Sequence, residues 1–385
     1  MPHRSTPPEG RLFPRRGWVW WLPFIAVLLD LAAEAAVRGQ EPVSFLLIGV
    51  PALAAATRGP RGTLLSTFVC LGLQMLMAAL RPGHFGEEHH VAVYAATLLI
   101  GAASTALAWQ RERTMRHLIQ VNSVAEAMQR TLLRPVPQRL GRVTAAGFYS
   151  AGEGGTLVGG DLYEVCVTPY GVRALIGDVR GKGLDAVQTV AAVLGSFRVS
   201  AHEWPSLGSL AERLELSIAR NGPAGDEGDP ELFVTALLLE FPPSDGEVRV
   251  VDRGHPPPIV VGPHGARRLV TAPALPLGLG AMLPGGEVET TVHSLGPGEV
   301  IVVHTDGVSE ARDANGTFYP VLERLADRFD GARTPDPEAV VEFLRSDTER
   351  WSAGSSDNDK DDQAVLALTL ESRLGPSPRS RTLPE

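Results

Sequence analysis

The sequence predicts an α+β sandwich domain preceded by a four-helix transmembrane region. Three observations carry this expectation. Long apolar runs are confined to the stretch before Trp109, β-rich runs with hairpin-type connections follow from Val143, and helical stretches stand in segregated groups among those strands. A chain of 385 residues also exceeds the usual span of one domain.

The apolar runs are Trp18 to Val37, Val43 to Thr57, Thr63 to Leu80 and Val91 to Trp109. Each lies near the ~20 residues that cross hydrocarbon as a helix, the second being short. A single run of this kind reads equally well as a buried core helix. Four in a row with brief polar breaks leave a globular protein nothing to cover them, so residues 18–109 are expected to form four membrane helices.

Orientation follows from the arginines, which are retained on the cytoplasmic side of helix ends. Arg11, Arg15 and Arg16 precede the first run, Arg58 and Arg61 separate the second and third, and Arg111, Arg113 and Arg116 follow the fourth. The other connections carry Arg38 with Glu41, and Arg81 with Glu87 and Glu88. A multi-pass protein of the cell (plasma) membrane is expected, with residues 1–17 and the later domain in the cytoplasm. The first run lacks a small-residue cleavage site and is followed by further spans, so it is not read as a cleavable signal. Asp30 and Glu34 share one helical face and either line a bundle interior or reach the outer interface, the second being the plainer reading. Glu87, Glu88, His89 and His90 read as a solvated outer loop, with cation binding or titration as the alternative.

Composition narrows the partners. A formal net charge of -9 argues against nucleic acid, which requires a basic stripe. Any phosphate-bearing ligand must instead be attracted by bound cations. The two cysteines, Cys70 in an apolar run and Cys166 in a strand-like stretch, imply no disulfide framework.

Residues 110–136 are rich in helix formers and free of Gly and Pro until Pro135. Leu118, Val121, Ala125, Met128 and Leu132 recur at alternating spacings of three and four. Two readings stay open: a coiled-coil seam that makes a homodimer through residues 118–132, and a single amphipathic helix packed on its own following domain.

From Val143 the runs VTAAGFY, DLYEVCV and GVRALIGDV read as strands, the last two joined by a tight turn across Thr168-Pro169-Tyr170. Helices follow at about Gly183 to Ala201 and Leu207 to Ala219. ELFVTALLLEF, EVRVVDRGH, PPIVV, EVETTVHSL, EVIVVHTDG and, after two more helical stretches, QAVLALTL complete the strands. Residues 143–371 form this domain and residues 372–385 a disordered tail.

Four aspartates stand at strand ends: Asp161, Asp178, Asp306 and Asp361. Strand-end aspartate is fixed by the sheet and offers the hard oxygen ligands that Mg²⁺ and Mn²⁺ prefer. Gly160, Gly177 and Gly307 beside three of them let backbone come close to ions and their waters. One such aspartate alone is ordinary turn chemistry. A converging set with no interspersed base repels itself unless cations neutralise it.

GGDLYEV, GDVRGKGLDAV, FVTALLLEF, DRGHPPP, PALPLGLG, VIVVHTDGVSEARD and DDQAVLAL, in this order over about Val143 to Leu370, resemble the PPM (type 2C-like) metal-dependent protein phosphatases, closest to their bacterial SpoIIE-like branch. The resemblance implies an α/β/β/α sandwich with two divalent cations, Mn²⁺ or Mg²⁺, at one edge. It implies Asp161, Asp178, the carbonyl of Val179, Asp306 and Asp361 as metal ligands. Gly160, Gly307 and Asp362 would stand just behind them, Asp362 replacing the Asn of eukaryotic relatives. Arg180 replaces the Ser common in GDVSGKG, which touches local loop contacts only.

Two ions ~3.5–4 Å apart hold and activate a bridging water, so no side-chain nucleophile is required. His255 is either a general acid for the leaving serine oxygen or a packing residue beside three prolines, the latter being the plainer reading. Lys182 either helps hold phosphate or opens a helix in solvent. GDVRGKG is no P-loop, because Gly177 and Gly181 are separated by three residues and Lys182 is followed by Gly. The reading is therefore a membrane-anchored protein serine/threonine phosphatase. By resemblance its substrate is a phosphorylated regulatory protein such as an anti-sigma-factor antagonist. The rival is a pseudophosphatase acting by contact, which loss of a metal aspartate would favour; all four are present.

Overall fold

The structure is a computed structural model that describes residues 19–36, 46–80, 88–152, 159–221, 232–243, 246–280, 288–331, 335–355 and 361–371. The chain divides into two compact units, Met1–Ile119 and Gln120–Glu385. The expectations for residues 1–17, the tail 372–385, Arg38, Glu41, Arg81 and Glu87 lie outside the described residues, as do the side chains of Glu34, Glu88 and His89.

The first unit begins with a 3-10 turn, Val19–Trp21, and α1, Leu22–Ala36; α2, Leu46–Thr57, and α3, Pro60–Ala79, follow. α4, Glu88–Leu132, carries the fourth apolar run and the helix-rich stretch after it in one element, and the division between the units falls inside it. Two helical segments, Pro60–Ala79 and His90–Leu132, are long and apolar enough to cross a membrane; Leu22–Ala33 and Leu46–Thr57 are shorter apolar helices. Among the described residues two of the four expected spans thus have the length and apolarity to cross. At 1.5 Å per residue the 12 residues of α2 reach about 18 Å, against about 30 Å of hydrocarbon.

The surface of this unit is inverted relative to a soluble bundle. α3 buries Thr63, Thr67, Cys70 and Gln74 while exposing Leu64, Leu65, Phe68 and Val69; α4 buries Thr97 and Ser104 while exposing Leu98, Leu99 and Leu107. The polar seam lets α3 and α4 approach closely. Thr97 Oγ1 donates to Gln74 Oε1 at 3.0 Å, and a Cβ added at Gly101 would lie 2.2 Å from Thr67 Cγ2. Asp30 is fully buried and accepts the Leu46 N–H at 3.1 Å, so it lines the interior and does not reach the interface.

The second unit is a four-layer sandwich. Its strands are β1 (Arg139–Leu140), β2 (Val143–Ser150), β3 (Asp161–Thr168), β4 (Gly171–Val179), β5 (Val234–Phe241), β6 (Glu247–Arg253), β7 (Ile259–Gly262), β8 (Gly265–Arg268), β9 (Thr291–Ser294), β10 (Val300–His304) and β11 (Gln363–Leu370). One sheet runs β1-β2-β11-β10-β7-β8 and the other β3-β4-β5-β6-β9. The helices are α5 (Leu184–Glu203), α6 (Leu207–Asn221), α7 (Asp306–Ser309), α8 (Val321–Phe329) and α9 (Pro337–Ser352). α5 and α6 cover the five-stranded sheet, and α8 and α9 cover the six-stranded one.

Period-two patterning separates two cores. Along β10 and β11, Ile301, Val303, Ala364, Leu366 and Leu368 face the inter-sheet core, while Val300, Val302, Val365 and Ala367 face the core under α8 and α9. These central strands are apolar on both faces because both faces are covered. The later part of α4 packs within its own unit. Of the seam residues, Ala125 meets Val187 and the half-buried Leu132, whereas Leu118 and Met128 stay exposed. The heptad seam is therefore split between an inward and an outward side.

Arg173 on β4 is wholly buried. Its Nε donates to Glu240 Oε2 at 2.7 Å, its Nη1 donates to the carbonyls of Ala201 and Trp204, and its Nη2 donates to that of Pro205. It thereby ties the end of α5 to the sheet, with its guanidinium 4.5 Å from the Tyr170 ring centroid. Arg173→Met should lower stability by about 3–5 kcal/mol, because Glu240 is left buried without its principal cation. The shift in denaturation midpoint measures this, and a shift under about 1 kcal/mol would show the clamp to be dispensable.

Candidate metal centre

Pairing register brings the four strand-end aspartates to one edge of the sandwich. Asp161 stands directly opposite Asp178 across β3 and β4, and Asp178 opposite Thr235 across β4 and β5. In the other sheet His304 pairs with Val365, so Asp306, opening α7, and Asp361 and Asp362, just before β11, share one end. Thr305 connects the sheets. Its Oγ1 donates to Asp161 Oδ2 at 2.7 Å and accepts the Ala364 N–H at 2.9 Å.

Two glycines permit the close approaches. A Cβ at Gly160 would lie 2.2 Å from the Val179 carbonyl oxygen, and one at Gly307 would lie 1.9 Å from that of Asp362. Either side chain would push main chain away from the aspartates. Asp362 accepts from the Tyr149 hydroxyl at 2.6 Å and from the N–H groups of Gly152 and Gly159 at 2.9 and 3.2 Å. It is tied to protein donors, while Asp361, about half exposed, accepts only at its rim, from Lys182 Nζ at 3.2 Å and from the Asp362 N–H at 3.1 Å. Lys182 thus faces the cluster and is not simply a solvated helix start.

Reasoning from sequence missed Thr305, Tyr149 and Gln129. Gln129 on α4 is buried, donates from Nε2 to the Asp161 carbonyl at 3.0 Å, and presents Oε1 2.8 Å from the Tyr149 hydroxyl. Tyr149 has one proton for two acceptors. It therefore donates to Asp362 Oδ2 or to Gln129 Oε1, one at a time. Thr305 was within reach, standing between a strand and a strand-end aspartate. Gln129 carried no signal, because its role exists only once the helix docks.

The electrostatics are those of a repelling cluster. Burial, then the Asp178 charge, hold Asp161 well above the usual carboxylate range, against a lowering by the Thr305 hydrogen bond. Asp178 is pushed up to about 8 by burial and by Asp306, Asp361 and Asp362, against an opposing pull from Lys182. Asp306 is raised by burial, Glu310 and Asp361. Asp362 is raised by burial, against its hydrogen bonds. Burial, then His304, push His255 down to about 3. His255 is enclosed, with Nδ1 3.1 Å from Thr235 Oγ1 and its own N–H donated to Asp252. Enclosure thus favours the neutral imidazole.

Among the described residues no three His, Cys, Asp or Glu side chains close into a single-ion cage. The donor set fits divalent cations nonetheless. Hard cations of the Mg²⁺ type bind through one or two carboxylates and keep several waters.

A carboxyl raised in the fold holds a proton that the unfolded chain has released. For Asp178, between 3.8 and about 8, the folded chain binds more protons, so stability falls as pH rises through that window. In chelator the unfolding midpoint should drop from about pH 5 to about pH 8, and Asp178→Asn should flatten the drop. A midpoint that rises over the window, or a slope unchanged in the variant, would contradict the cluster's self-repulsion.

Comparison with known proteins covers part of this unit, with Asp161 lying before the matched family span. Residues 168–371 match the family described as Stage II sporulation protein E (SpoIIE). Protein IcfG of Synechocystis sp. is 23% identical over 186 residues, covering 42% of this chain and 28% of that protein. The SiaA-PP2C domain of Pseudomonas aeruginosa aligns with a TM-score of 0.51 at 14% identity, covering 68% of this chain and 99% of that one. The PP2C phosphatase domain of SpoIIE from Bacillus subtilis, with a fragment of its regulatory domain, aligns with a TM-score of 0.48 at 20% identity, covering 60% and 64%. The chain thus spans under a third of the length of IcfG and just under two thirds of that SpoIIE fragment. At such identities the solved structures speak for the fold alone. With the family match extending over more than half of the chain, this protein belongs to the SpoIIE family.

Proposed function

We propose that this chain is a membrane-anchored, Mn²⁺- or Mg²⁺-dependent protein serine/threonine phosphatase acting on a phosphorylated regulatory protein, of the anti-sigma-factor-antagonist kind. The observation that carries the chemistry is the gathering of Asp161, Asp178, Asp306 and Asp361 at one sandwich edge, with the carboxyl pKa values of Asp161, Asp178 and Asp306 raised by burial and by neighbouring charge. Asp161, Asp178, Asp306, Asp361 and the carbonyl of Val179 would hold two divalent cations, with Asp362 orienting from behind. When bound, such ions supply a deprotonated water and neutralise phosphate charge. The chain's own part is to hold the carboxylates apart and ionisable. Thr305 fixes the orientation of Asp161, Tyr149 and two backbone N–H groups hold Asp362, and Lys182 brings a cation to the rim.

The anchoring rests on the inverted first unit. Exposed Leu, Phe and Val around a seam of Thr, Gln and Ser is the arrangement lipid stabilises and water does not. In this reading α1 and α2 belong with α3 and α4 to a four-helix region, and the arginine distribution keeps the phosphatase domain in the cytoplasm. Residues 18–109 are then the membrane region, 110–136 the linker and 143–371 the enzyme. The exposed Val124 and Met128 leave room for a homodimer contact through residues 118–132 on the side away from Ala125.

Mn²⁺- or Mg²⁺-dependent hydrolysis of phosphoserine or phosphothreonine should be abolished by EDTA. Asp178→Asn and Asp306→Asn nearly preserve volume and should each cost at least about a hundredfold in rate at fixed metal, ~2.7 kcal/mol of barrier. His255→Ala should cost less. Full activity in EDTA, or in a folded Asp306→Asn variant, would remove the two-metal reading, and inactivity with every divalent ion would favour the pseudophosphatase.

For topology, single cysteines at positions 40 and 83, in a background lacking Cys70 and Cys166, should react with an impermeant thiol reagent in intact cells. Protection at both positions would reject the proposed orientation.

A further inference from the structure

The turn between α2 and α3 encloses a recess of about 350 Å³, lined by Arg61, Arg113, Arg116, Trp109 and Glu112 at the Gly59-Pro60 start of α3. That volume lies within the range of small-ligand sites. Three guanidinium groups against one carboxylate give the lining a net charge of two positive. The Arg113 guanidinium lies 4.1 Å from the Trp109 ring centroid, which holds it in place. Among the described residues Arg61 is exposed and has no ion-pair partner.

Glu112 marks where an anion is favoured. It pairs with Arg116, and its Oε2 comes within 3.8 Å of the point a Gly59 Cβ would occupy, against the first turn of α3, which no side chain caps by a hydrogen bond. An acidic group at a helix N-terminus is stabilised by the unpaired N–H groups there. The neighbouring arginines are already engaged. Arg111 Nη1 reaches the Ala55 and Ala56 carbonyls at 3.4 and 3.3 Å, and the Arg58 guanidinium lies 4.6 Å from the Phe24 ring centroid.

From this geometry we infer that the recess binds a phosphate-bearing anion, namely the headgroup of an anionic phospholipid of the cytoplasmic leaflet. The site rests on the membrane reading proposed above, which places this turn at the cytoplasmic headgroup level. Trp109 there provides the amphipathic ring typical of that depth, and basic pockets between helix ends are suited to such headgroups. Arg61 and Arg113 would engage the phosphate as Arg116 holds Glu112. No residue of the metal centre takes part.

The full-length protein in detergent micelles is titrated with phosphatidylglycerol, with phosphatidylcholine and with inorganic phosphate, and thermal unfolding gives the apparent affinity of each. Phosphatidylglycerol should bind more tightly than phosphatidylcholine, and Arg61→Gln with Arg113→Gln should weaken it about 25-fold, about fivefold per arginine. Arg61→Lys with Arg113→Lys should retain most of that affinity, which separates loss of charge from loss of fold. Metal-dependent phosphatase activity of the double Gln variant in plain micelles should match the wild type.

Equal stabilisation by the two lipids overturns the proposal. Arginine-dependent stabilisation by inorganic phosphate at the same concentrations replaces the lipid by a soluble phosphate and overturns the lipid source. Carbonate extraction of native membranes separates this site from the reading beneath it. A chain released by carbonate fails the membrane reading and the lipid site together, whereas a retained chain with no lipid preference fails the site alone.

Discussion

Mutual repulsion among buried carboxylates is the constraint around which the second unit is organised. Asp161 and Asp178 face each other across adjacent strands, and Asp306, Asp361 and Asp362 arrive from the other sheet at the same edge. Burial removes the water that would screen Asp161, Asp178, Asp306 and Asp362, so their pKa values rise and the edge repels itself, while Asp361 stays half exposed at the rim. Much of the surrounding structure answers that strain. Thr305, Tyr149 and the N–H groups of Gly152 and Gly159 donate hydrogen bonds inward, and Gly160 and Gly307 keep main chain close enough for carbonyls to join the set.

The sandwich supplies the rigidity that such an edge requires. β10 and β11 are apolar on both faces because one core lies between the sheets and a second lies under α8 and α9. Aspartates at the ends of doubly buried strands cannot drift apart without disturbing two cores at once. Arg173 performs a comparable service on the far side of the five-stranded sheet, where a wholly buried guanidinium gathers three carbonyls and a carboxylate. The buried ion pair is tolerable there because nearly every donor is used.

The first unit follows the opposite solvent logic. Its helices turn Thr, Ser, Gln and Asp inward and Leu, Phe and Val outward, so its exterior is matched to a medium that cannot hydrogen-bond. Small groups at the α3–α4 seam then allow close packing where the hydrophobic effect offers no drive for association. Charge collects at the α2–α3 turn, where arginines stack on aromatic rings and reach helix-end carbonyls.

Much of this was legible in the sequence, because short-range rules govern it. Alternation placed the strands, Thr168-Pro169-Tyr170 announced the β3–β4 hairpin, and the strand-end aspartates with their glycines marked the carboxylate edge. Length and apolarity marked four apolar stretches, and among the described residues two of their helices, Pro60–Ala79 and His90–Leu132, are long and apolar enough to cross a membrane. Tertiary structure alone decided the rest. Whether Asp30 faced the interior depended on where Leu46 lay, and whether His255 was an acid or a packing group depended on its enclosure. The splitting of the heptad seam and the reach of Gln129 to the Asp161 carbonyl came from helix docking against residues more than thirty positions away. Sequence by itself determined which groups carry the charge and which faces are apolar, since those are properties of residue type and period. Which buried polar group meets which partner is a property of long-range packing, and no local pattern encodes it.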